Sequence, residues 1–318
     1  MNAGSISTFR RIFVQRFRTK AMKPCIRKKN LPMRREHVTI SKETRSVKDS
    51  KKQSFHGRPL PADTCVAFSS DRGREMFAQA LNEEGLKSYW KLAESFTTQS
   101  QPAACGLASL VMVLNALRVD PRRVWKGVWR WWDEELFYSH KAEKGCKKCV
   151  DIKKRNLEQG LTFEELVSNA KCEGLSLEGY FASNEDETNA TSIETKDLDH
   201  FRSVLRRTQV TKSKDDAAQN DMLICSFSRS VLKQTGTGHF SPIGGYIPSL
   251  DKVLVMDVAR FKYPSYWVDV ETLWNAMCQA DLETFKPRGY IVVDGDQTEF
   301  ESATEEDLLH HTCSAQNA

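Results

Sequence analysis

The spacing of apolar residues predicts helices along the chain. Four segments carry the three- and four-residue spacing of one helix face: residues 71–81, 90–96, 106–117 and 198–205. The third segment is the clearest, because Leu107, Leu110, Val111 and Leu114 all fall on one face. We expect the first of these helices to end near Gly85.

Three apolar runs later in the chain have the composition of strands: residues 222–227, 239–247 and 253–258. Turns at 236–238 and 248–251 separate them. Helices that come first and antiparallel strands that come later indicate an α+β fold. Two antiparallel strands joined by the second turn would bring His239 close to Asp257.

Other regions lack this periodicity. The acidic and polar stretch 183–199 is predicted to be an exposed loop. Four tryptophans fall within eight residues, and most of them are predicted to lie in the core or in a pocket wall, since tryptophan buries a large area: Trp125, Trp129, Trp131 and Trp132.

Charge is distributed unevenly over the 318 residues, 40% of which are hydrophobic. Residues 1–60 carry 17 Lys and Arg against three acids, so the remainder holds 30 basic and 39 acidic residues and has a net charge of −9. An acidic body argues against a nucleic-acid-binding core, which needs its basic patch on the folded domain. No run of 18 apolar residues occurs, so the sequence predicts no membrane span.

Residues 1–55 are predicted to be a basic leader and linker. Before Glu36 there are 11 Lys and Arg and no acid. Five apolar residues lie on one side of a helical projection: Ile6, Phe9, Ile12, Phe13 and Phe17. This composition is typical of a mitochondrial transit peptide, and the alternative is a disordered basic tail on a cytosolic protein. We therefore expect a mitochondrial-matrix or cytoplasmic location, with a catalytic domain over 56–293 and an acidic flexible tail over 294–318.

Cys105 is the strongest candidate for a catalytic residue. It follows a proline-containing turn and precedes the 106–117 helix, where the helix dipole and unpaired N–H groups favour a thiolate. A lone cysteine is more often a small buried hydrophobic residue. Here, however, the amide of Gln99 could donate to an oxyanion, and His239 and then Asp257 follow far downstream. Cysteine, histidine and then carboxylate is the chain order of a papain-like nucleophile system.

Four strings of residues resemble phytochelatin synthases, a family of the papain-like cysteine peptidase clan: 99–108, 125–134, 234–246 and 257–264. The resemblance runs from about Arg58 to about Val293, and the 234–246 string is the longest. It implies a papain-like fold in which a helical half carries the nucleophile and an antiparallel sheet half carries the histidine and the aspartate.

The resemblance also implies an activity, that of a glutathione gamma-glutamylcysteinyltransferase. Cys105 would be the nucleophile, His239 the general base and acid, Asp257 the partner that orients the histidine, and Gln99 the oxyanion-hole side chain. The substrates would be glutathione and its metal thiolate with cadmium, zinc or copper, and no organic cofactor is expected. The product would be a thiol-rich, metal-chelating peptide.

Three further residues are candidates for substrate binding. Gly238 lies in a glycine-rich turn where the backbone can approach a substrate closely. The resemblance places Arg260 and Tyr263 in the segment that lines the glutathione site, where Arg260 could pair with a carboxylate. A surface salt bridge is the alternative role for Arg260.

Nine cysteines at irregular spacing, with no secretory signal, predict reduced thiols. Cys146 and Cys149 have the spacing that can clamp a soft metal ion, but one such pair is half a site. His310, His311 and Cys313 form another thiol and imidazole group near the end of the chain.

Two other functions stay open at this point. The same triad could hydrolyse glutathione or its conjugates with water as the acceptor, which product analysis would distinguish. A non-catalytic metal-binding protein on an inactivated fold is the alternative of a different class, against which all three triad members are present. A homodimer is also left open.

Overall fold

The computed structural model describes residues 57–137, 158–184, 193–211 and 220–297. The predicted leader lies outside these ranges, and so do Cys146, Cys149, the 310–313 group and all but four residues of the predicted tail. In the described parts of the chain we number six helices: α1 (Asp71–Asn82), α2 (Tyr89–Glu94), α3 (Cys105–Ala116), α4 (Phe163–Cys172), α5 (Leu198–Gln209) and α6 (Val270–Cys278).

The four helices predicted from apolar spacing are confirmed as α1, α2, α3 and α5. Helix α3 differs from the expectation in one respect, because every residue from Gly106 to Ala116 is buried. A mostly apolar helix that is buried on all sides belongs in the interior of a domain. The prediction missed α4 and α6, although Thr162 and Glu165 form a capping box at the start of α4.

One eight-stranded sheet organises the domain. Its strands are β1 (Cys65–Ala67), β2 (Leu177–Ala182), β3 (Glu194–Lys196), β4 (Met222–Ser228), β5 (Gly238–Ile247), β6 (Lys252–Val255), β7 (Tyr266–Asp269) and β8 (Gly289–Val293). The spatial order is β1-β7-β6-β5-β4-β8-β2-β3. All neighbouring strands are antiparallel except β2 and β3, which are parallel. The α+β prediction with a large antiparallel sheet is therefore confirmed.

The core lies on both faces of this sheet. Alternate residues of β4 join different clusters, with Met222 and Ile224 in one and Leu223 and Cys225 in the other. The first cluster contains the buried residues of α1, α3 and α4, and the second contains those of α5 and α6. Helix α3, whose first residue is the candidate nucleophile Cys105, is thus packed on one face of the sheet, against β5.

Two predictions about irregular regions were wrong. Of the four tryptophans predicted to be mostly buried, Trp132 is 2% exposed, but Trp129 is 70% exposed, Trp131 is 42% exposed and Trp125 is half-buried. The N–H of Trp125 bonds to the carbonyl of Trp129, so these residues close a turn, and turns lie at the surface. The stretch predicted as an exposed loop over 183–199 contains strand β3, because a parallel edge strand can pair with β2 even when its own residues are polar.

The first four residues of the predicted tail are attached to the domain. Asp294 donates its N–H to the carbonyl of Ser176, and Gln297 donates its side-chain amide to the same carbonyl at 2.8 Å. Across the described ranges, no helix combines the length and the apolar character that crossing a membrane requires.

Candidate active site

Cys105, His239 and Gln99 line the same cavity, which has a volume of about 670 Å³. Residues 158–164 at the start of α4 and residues 236–240 at the start of β5 form other walls, together with residues 281–284, 287 and 288 before β8. The candidate nucleophile and base are distant in sequence, and the packing of α3 on the sheet brings them to one opening.

Cys105 is the first residue of α3, and its side chain is half-buried. The residue before it, Ala104, makes no side-chain capping bond, so backbone N–H groups at this end remain for a negative charge. Burial raises the pKa of the Cys105 thiol, while the N–H groups of Phe240 and Gly106 and the charge of Arg229 act to lower it. The bond to Phe240 places the sulfur beside strand β5, next to His239.

His239 is buried at the start of β5 and is held through one ring nitrogen. Its Nε2 lies 2.9 Å from Asp257 Oδ1 and 3.0 Å from Ser241 Oγ. An Nε2–H that donates to the carboxylate leaves Nδ1 as the unprotonated nitrogen. Nδ1 is therefore the ring atom that can exchange a proton with groups in the cavity.

Asp257 follows β6 and is fully buried. Besides His239, it accepts a hydrogen bond from the N–H of Ala259 at 2.9 Å. Burial acts to raise the pKa of this carboxyl, but His239, Arg229 and the Ala259 N–H together hold it below its usual value. The aspartate is thus ionised and can orient the imidazole.

Arg229 is a member of the site that the sequence did not reveal. It follows β4 and is 2% exposed, and its Nη2 lies 3.0 Å from Asp257 Oδ1 and 2.9 Å from Oδ2. Its Nη1 donates to Gln234 Oε1, and its guanidinium lies 5.1 Å from the ring centroid of Tyr263. A buried aspartate predicts a partner in general, but no local spacing pointed to a residue 28 positions upstream.

This charge arrangement favours a neutral imidazole in the resting site. Burial and the positive charge of Arg229 lower the pKa of His239 to about 4, against the opposing effect of Asp257. The raised pKa of Cys105 acts in the same direction, because both pKa shifts favour a neutral imidazole together with a protonated thiol.

Gln99 is buried beside Cys105, and its side chain holds the turn that leads to the nucleophile. Its Nε2 donates to the carbonyls of Gln101 at 2.7 Å and Pro102 at 2.9 Å. Its Oε1 has no hydrogen-bond partner among the described residues. For the amide to donate to an oxyanion, one of these two bonds would have to be exchanged for the new acceptor.

The three predicted substrate-binding residues occupy different places. Gly238 lines the cavity, and a Cβ on it would lie 3.1 Å from the guanidinium of Arg288. Tyr263 is buried, and its hydroxyl accepts from the N–H of Thr235 at 2.9 Å. Arg260 is exposed, and its guanidinium lies 4.5 Å from the ring centroid of Phe96. The cavity lining includes neither Arg260 nor Tyr263.

Other charged groups do line the cavity. Arg288 is buried and donates to Asp281 Oδ2 at 2.8 Å and to the carbonyls of Gln279 and Ala280 at 3.0 Å. Lys262 lines it as well, and burial lowers the pKa of its ammonium. The cavity can therefore offer both a carboxylate and cations to a charged substrate. No group of three or more potential metal ligands is found in the described portion of the chain.

Comparison with known proteins gives a consistent picture. The sequence profile of the phytochelatin synthase family matches residues 55–290. A glutathione gamma-glutamylcysteinyltransferase of Schizosaccharomyces pombe is 39% identical over 243 residues, which cover 76% of this chain and 52% of that protein. Glutathione gamma-glutamylcysteinyltransferase 1 of Lotus japonicus is 41% identical over 239 residues, 75% of this chain and 42% of the relative.

The corresponding protein 1 of Arabidopsis thaliana is 40% identical over 240 residues, which cover 76% of this chain and 44% of the relative. The chain thus spans about half the length of these relatives. The family match covers well over half of the present chain, and it contains Cys105, His239 and Asp257. This chain belongs to the phytochelatin synthase family.

Proposed function

We propose that this chain is a glutathione gamma-glutamylcysteinyltransferase with a papain-like fold. The observation that carries the proposal is the convergence on one cavity of a cysteine at a helix N-terminus and a histidine hydrogen-bonded to a buried aspartate. The names of the relatives, which all describe this transfer, support the choice of substrate.

In the first half-reaction Cys105 attacks the carbonyl carbon between the cysteinyl and glycyl residues of glutathione. His239 Nδ1 takes the thiol proton, so the attack produces a tetrahedral oxyanion and an imidazolium. The N–H of Cys105 and the amide of Gln99 hold this oxyanion. When the carbon–nitrogen bond breaks, the imidazolium gives its proton to the glycine nitrogen, and a gamma-glutamylcysteinyl thioester of Cys105 remains.

In the second half-reaction the amine of another glutathione attacks this thioester. His239 Nδ1 accepts a proton from the attacking amine, and the same proton returns to the departing sulfur of Cys105. The product is longer by one gamma-glutamylcysteinyl unit. Asp257 keeps the imidazole in the tautomer that both steps need, because its bond occupies Nε2.

The charges of the cavity suit glutathione, which carries an amino and a carboxyl group at its gamma-glutamyl end and a carboxylate at its glycyl end. Asp281 and Arg288 are paired and line the wall next to Gly238, where they could exchange their mutual bond for the two groups of the gamma-glutamyl end. Lys262 is the cation placed to attract a carboxylate.

Metal enters this proposal as part of the substrate. Cadmium, zinc and copper bind thiolates strongly, so glutathione meets the enzyme as a metal thiolate that acts as the acceptor. A glutathione whose sulfur carries a small alkyl group should then be accepted with little or no metal. Heavy-metal detoxification, in the mitochondrial matrix or the cytoplasm, is the role we infer for the product.

Incubation of the purified chain with glutathione and cadmium tests the proposal directly. We expect free glycine together with peptides longer by one or more gamma-glutamylcysteinyl units, identified by mass. Glycine and gamma-glutamylcysteine without longer peptides would identify a hydrolase with the same acylation step. Absence of glycine release would refute the proposed chemistry.

A further inference from the structure

The carboxylate of Glu134 holds the turn that leads to the nucleophile. Its Oε1 accepts the backbone N–H of Ser100 at 2.9 Å, and its Oε2 accepts the hydroxyl of the same residue. Ser100 directly follows Gln99, and the turn over 99–104 ends at Cys105. One side chain from a distant segment therefore makes both of its bonds to one residue of this turn.

The segment that carries Glu134 is itself fixed to the nucleophile helix. The amide of Asn115, near the end of α3, donates to the carbonyl of Trp132 at 2.8 Å and accepts the Trp132 N–H at 3.0 Å. The indole N–H of Trp132 bonds to the carbonyl of Val119 at 2.9 Å. The segment after α3 is thus attached near the end of this helix, and its Glu134 side chain contacts the turn that precedes the first residue of α3.

The opposite side of the turn is attached to the sheet. The N–H of Gln99 donates to the carbonyl of Val258 at 3.0 Å, one residue after Asp257. Ser100 lies between this attachment and the two carbonyls, of Gln101 and Pro102, that the Gln99 side chain holds. Release of Ser100 would let the backbone shift at the point that sets where the Gln99 amide lies.

The contact between Glu134 and Ser100 has features that the stability of the fold alone does not require. Burial raises the pKa of the Glu134 carboxyl, and the two Ser100 donors only partly offset this cost. Both donors are uncharged, so no opposite charge offsets the desolvation of this carboxylate. The adjacent Asp133 already closes the segment by accepting from the indole of Trp125 and from the N–H of Leu136.

We propose that Glu134 is a positioning residue for the oxyanion side of the site. It acts through Ser100 on the placement of the Gln99 amide and the Cys105 N–H, and it leaves the reactivity of the thiol itself unchanged. The inference rests on the proposed acyl transfer, since an oxyanion forms only when Cys105 attacks a carbonyl. No contact of Glu134 with the substrate is involved.

Two reactions of Cys105 separate this role from a merely structural one. Glycine release in a single turnover with glutathione passes through an oxyanion, whereas alkylation of Cys105 by iodoacetamide does not. In Glu134→Ala we expect glycine release to slow on the order of 10- to 100-fold, because a displacement of a catalytic group by about 1 Å has effects of this size. Alkylation should stay near the wild-type rate.

Three variants sharpen the comparison. Glu134→Gln keeps one acceptor and should recover part of the lost rate, and Ser100→Ala removes only the hydroxyl and should slow glycine release less than Glu134→Ala. In the double variant Ser100→Ala with Glu134→Ala the two effects should not add, because both remove the same contact. Glu135→Ala is the matched control, since Glu135 is the exposed neighbour and should leave both rates unchanged.

Wild-type glycine release first establishes that the proposed function holds, so failure of that function is recognised separately. If the wild type releases glycine and Glu134→Ala releases it equally fast, the inference is wrong. A parallel fall of glycine release and alkylation in Glu134→Ala would also overturn it, because it would indicate general damage to α3. If Glu134→Ala does not fold, Glu134→Gln and Ser100→Ala carry the same test: unchanged glycine release in both would overturn the inference.

Discussion

The two sides of the candidate active site are built in different ways. On the helix side, Cys105 owes its position to the start of α3 and to the turn before it, which are neighbours in sequence. On the sheet side, His239, Asp257 and Arg229 come from β5, from the end of β6 and from the end of β4, and buried charges connect them. The helix side therefore depends on backbone N–H groups, and the sheet side depends on an ion pair withdrawn from water.

This difference leads to different consequences of mutation. A change on the helix side should alter acyl transfer and leave its pH dependence in place. A change on the sheet side should alter the pH dependence and the free energy of unfolding together, because removal of one partner leaves a buried charge uncompensated.

Replacement of the nucleophile should have the largest effect. In Cys105→Ser we expect glycine release and peptide formation to fall by at least ~10³-fold, since a hydroxyl lacks an accessible anion at neutral pH. Circular dichroism should show an unchanged fold. Appreciable activity in this variant, or an acyl group on another cysteine, would contradict the assignment of the nucleophile.

Cys65 provides the matched control for that experiment. It lies near the same charges, but it is buried in β1 and accepts a weak bond from Gln234 at 3.7 Å, and burial raises its pKa to about 12. Cys65→Ser should therefore leave transfer chemistry at its wild-type rate. A loss of activity as large as that in Cys105→Ser would mean that a cysteine need not lie in the cavity to be required for the reaction.

Loss of the base should be nearly as damaging as loss of the nucleophile. We expect His239→Ala to reduce glycine release about as much as Cys105→Ser does, because the members of a catalytic unit are not additive. Rates of the two single variants and of the double variant test this. Near-wild-type rates of acyl transfer in His239→Ala would contradict the mechanism in which Cys105, His239 and Asp257 act as a triad.

Arg229 should have an intermediate effect, and it should appear in the pH profile. Activity on the acid side is lost when the imidazole becomes protonated while Cys105 is still a thiol. Burial and the charge of Arg229 lower the pKa of His239 to about 4, whereas Asp257 raises it. Arg229→Gln removes a lowering contribution and keeps the raising one, so the acid limb should move toward neutral pH.

The expected shift of that limb is about one pH unit, which corresponds to ~1.4 kcal/mol. Arg229→Lys is the control, because it retains the positive charge and should keep the limb near its wild-type position. Measurements of glycine release across the whole acid limb of each protein compare the three proteins. An acid limb that stays in place or moves to lower pH in Arg229→Gln would contradict the role given to this charge.

The smallest effect is expected at Tyr263. Tyr263→Phe removes the hydroxyl that accepts from the N–H of Thr235 at 2.9 Å, and it keeps the ring below Arg229. Thr235 is exposed, so water can bond the freed N–H, and the free energy of unfolding should fall only by the net worth of one hydrogen bond, roughly 0.5–1.5 kcal/mol. Glycine release should change little, as a denaturant titration alongside the rate assay would show. A large loss of activity at unchanged stability would indicate direct contact with the substrate.

Local patterns in the sequence predicted the helix side best. Apolar spacing located α3, and a cysteine after a proline-containing turn located its first residue. The pairing of His239 with Asp257 was also accessible, since two strands joined by a short turn must be antiparallel neighbours. Their separation of 2.9 Å agrees with that expectation.

The contacts made across the fold could not be predicted. Arg229 reaches Asp257 because β4 and β6 both border β5, and Glu134 reaches Ser100 because Trp132 is fixed to α3. Neither pair has a characteristic spacing in the sequence. The placement of Trp129 was wrong for a related reason, because its size favours burial and only the path of the backbone put it in a surface turn.

The most direct test of the account is to identify the acyl-enzyme. The wild-type chain is mixed with an equimolar amount of glutathione and no metal, so that acylation leaves little acceptor, and it is quenched in acid within one turnover and digested for mass spectrometry. The account predicts a gamma-glutamylcysteinyl group on the peptide that contains Cys105, formed together with one glycine per chain, and slower formation in His239→Ala. A turnover that releases glycine with no adduct, or with the adduct on another residue, would contradict it.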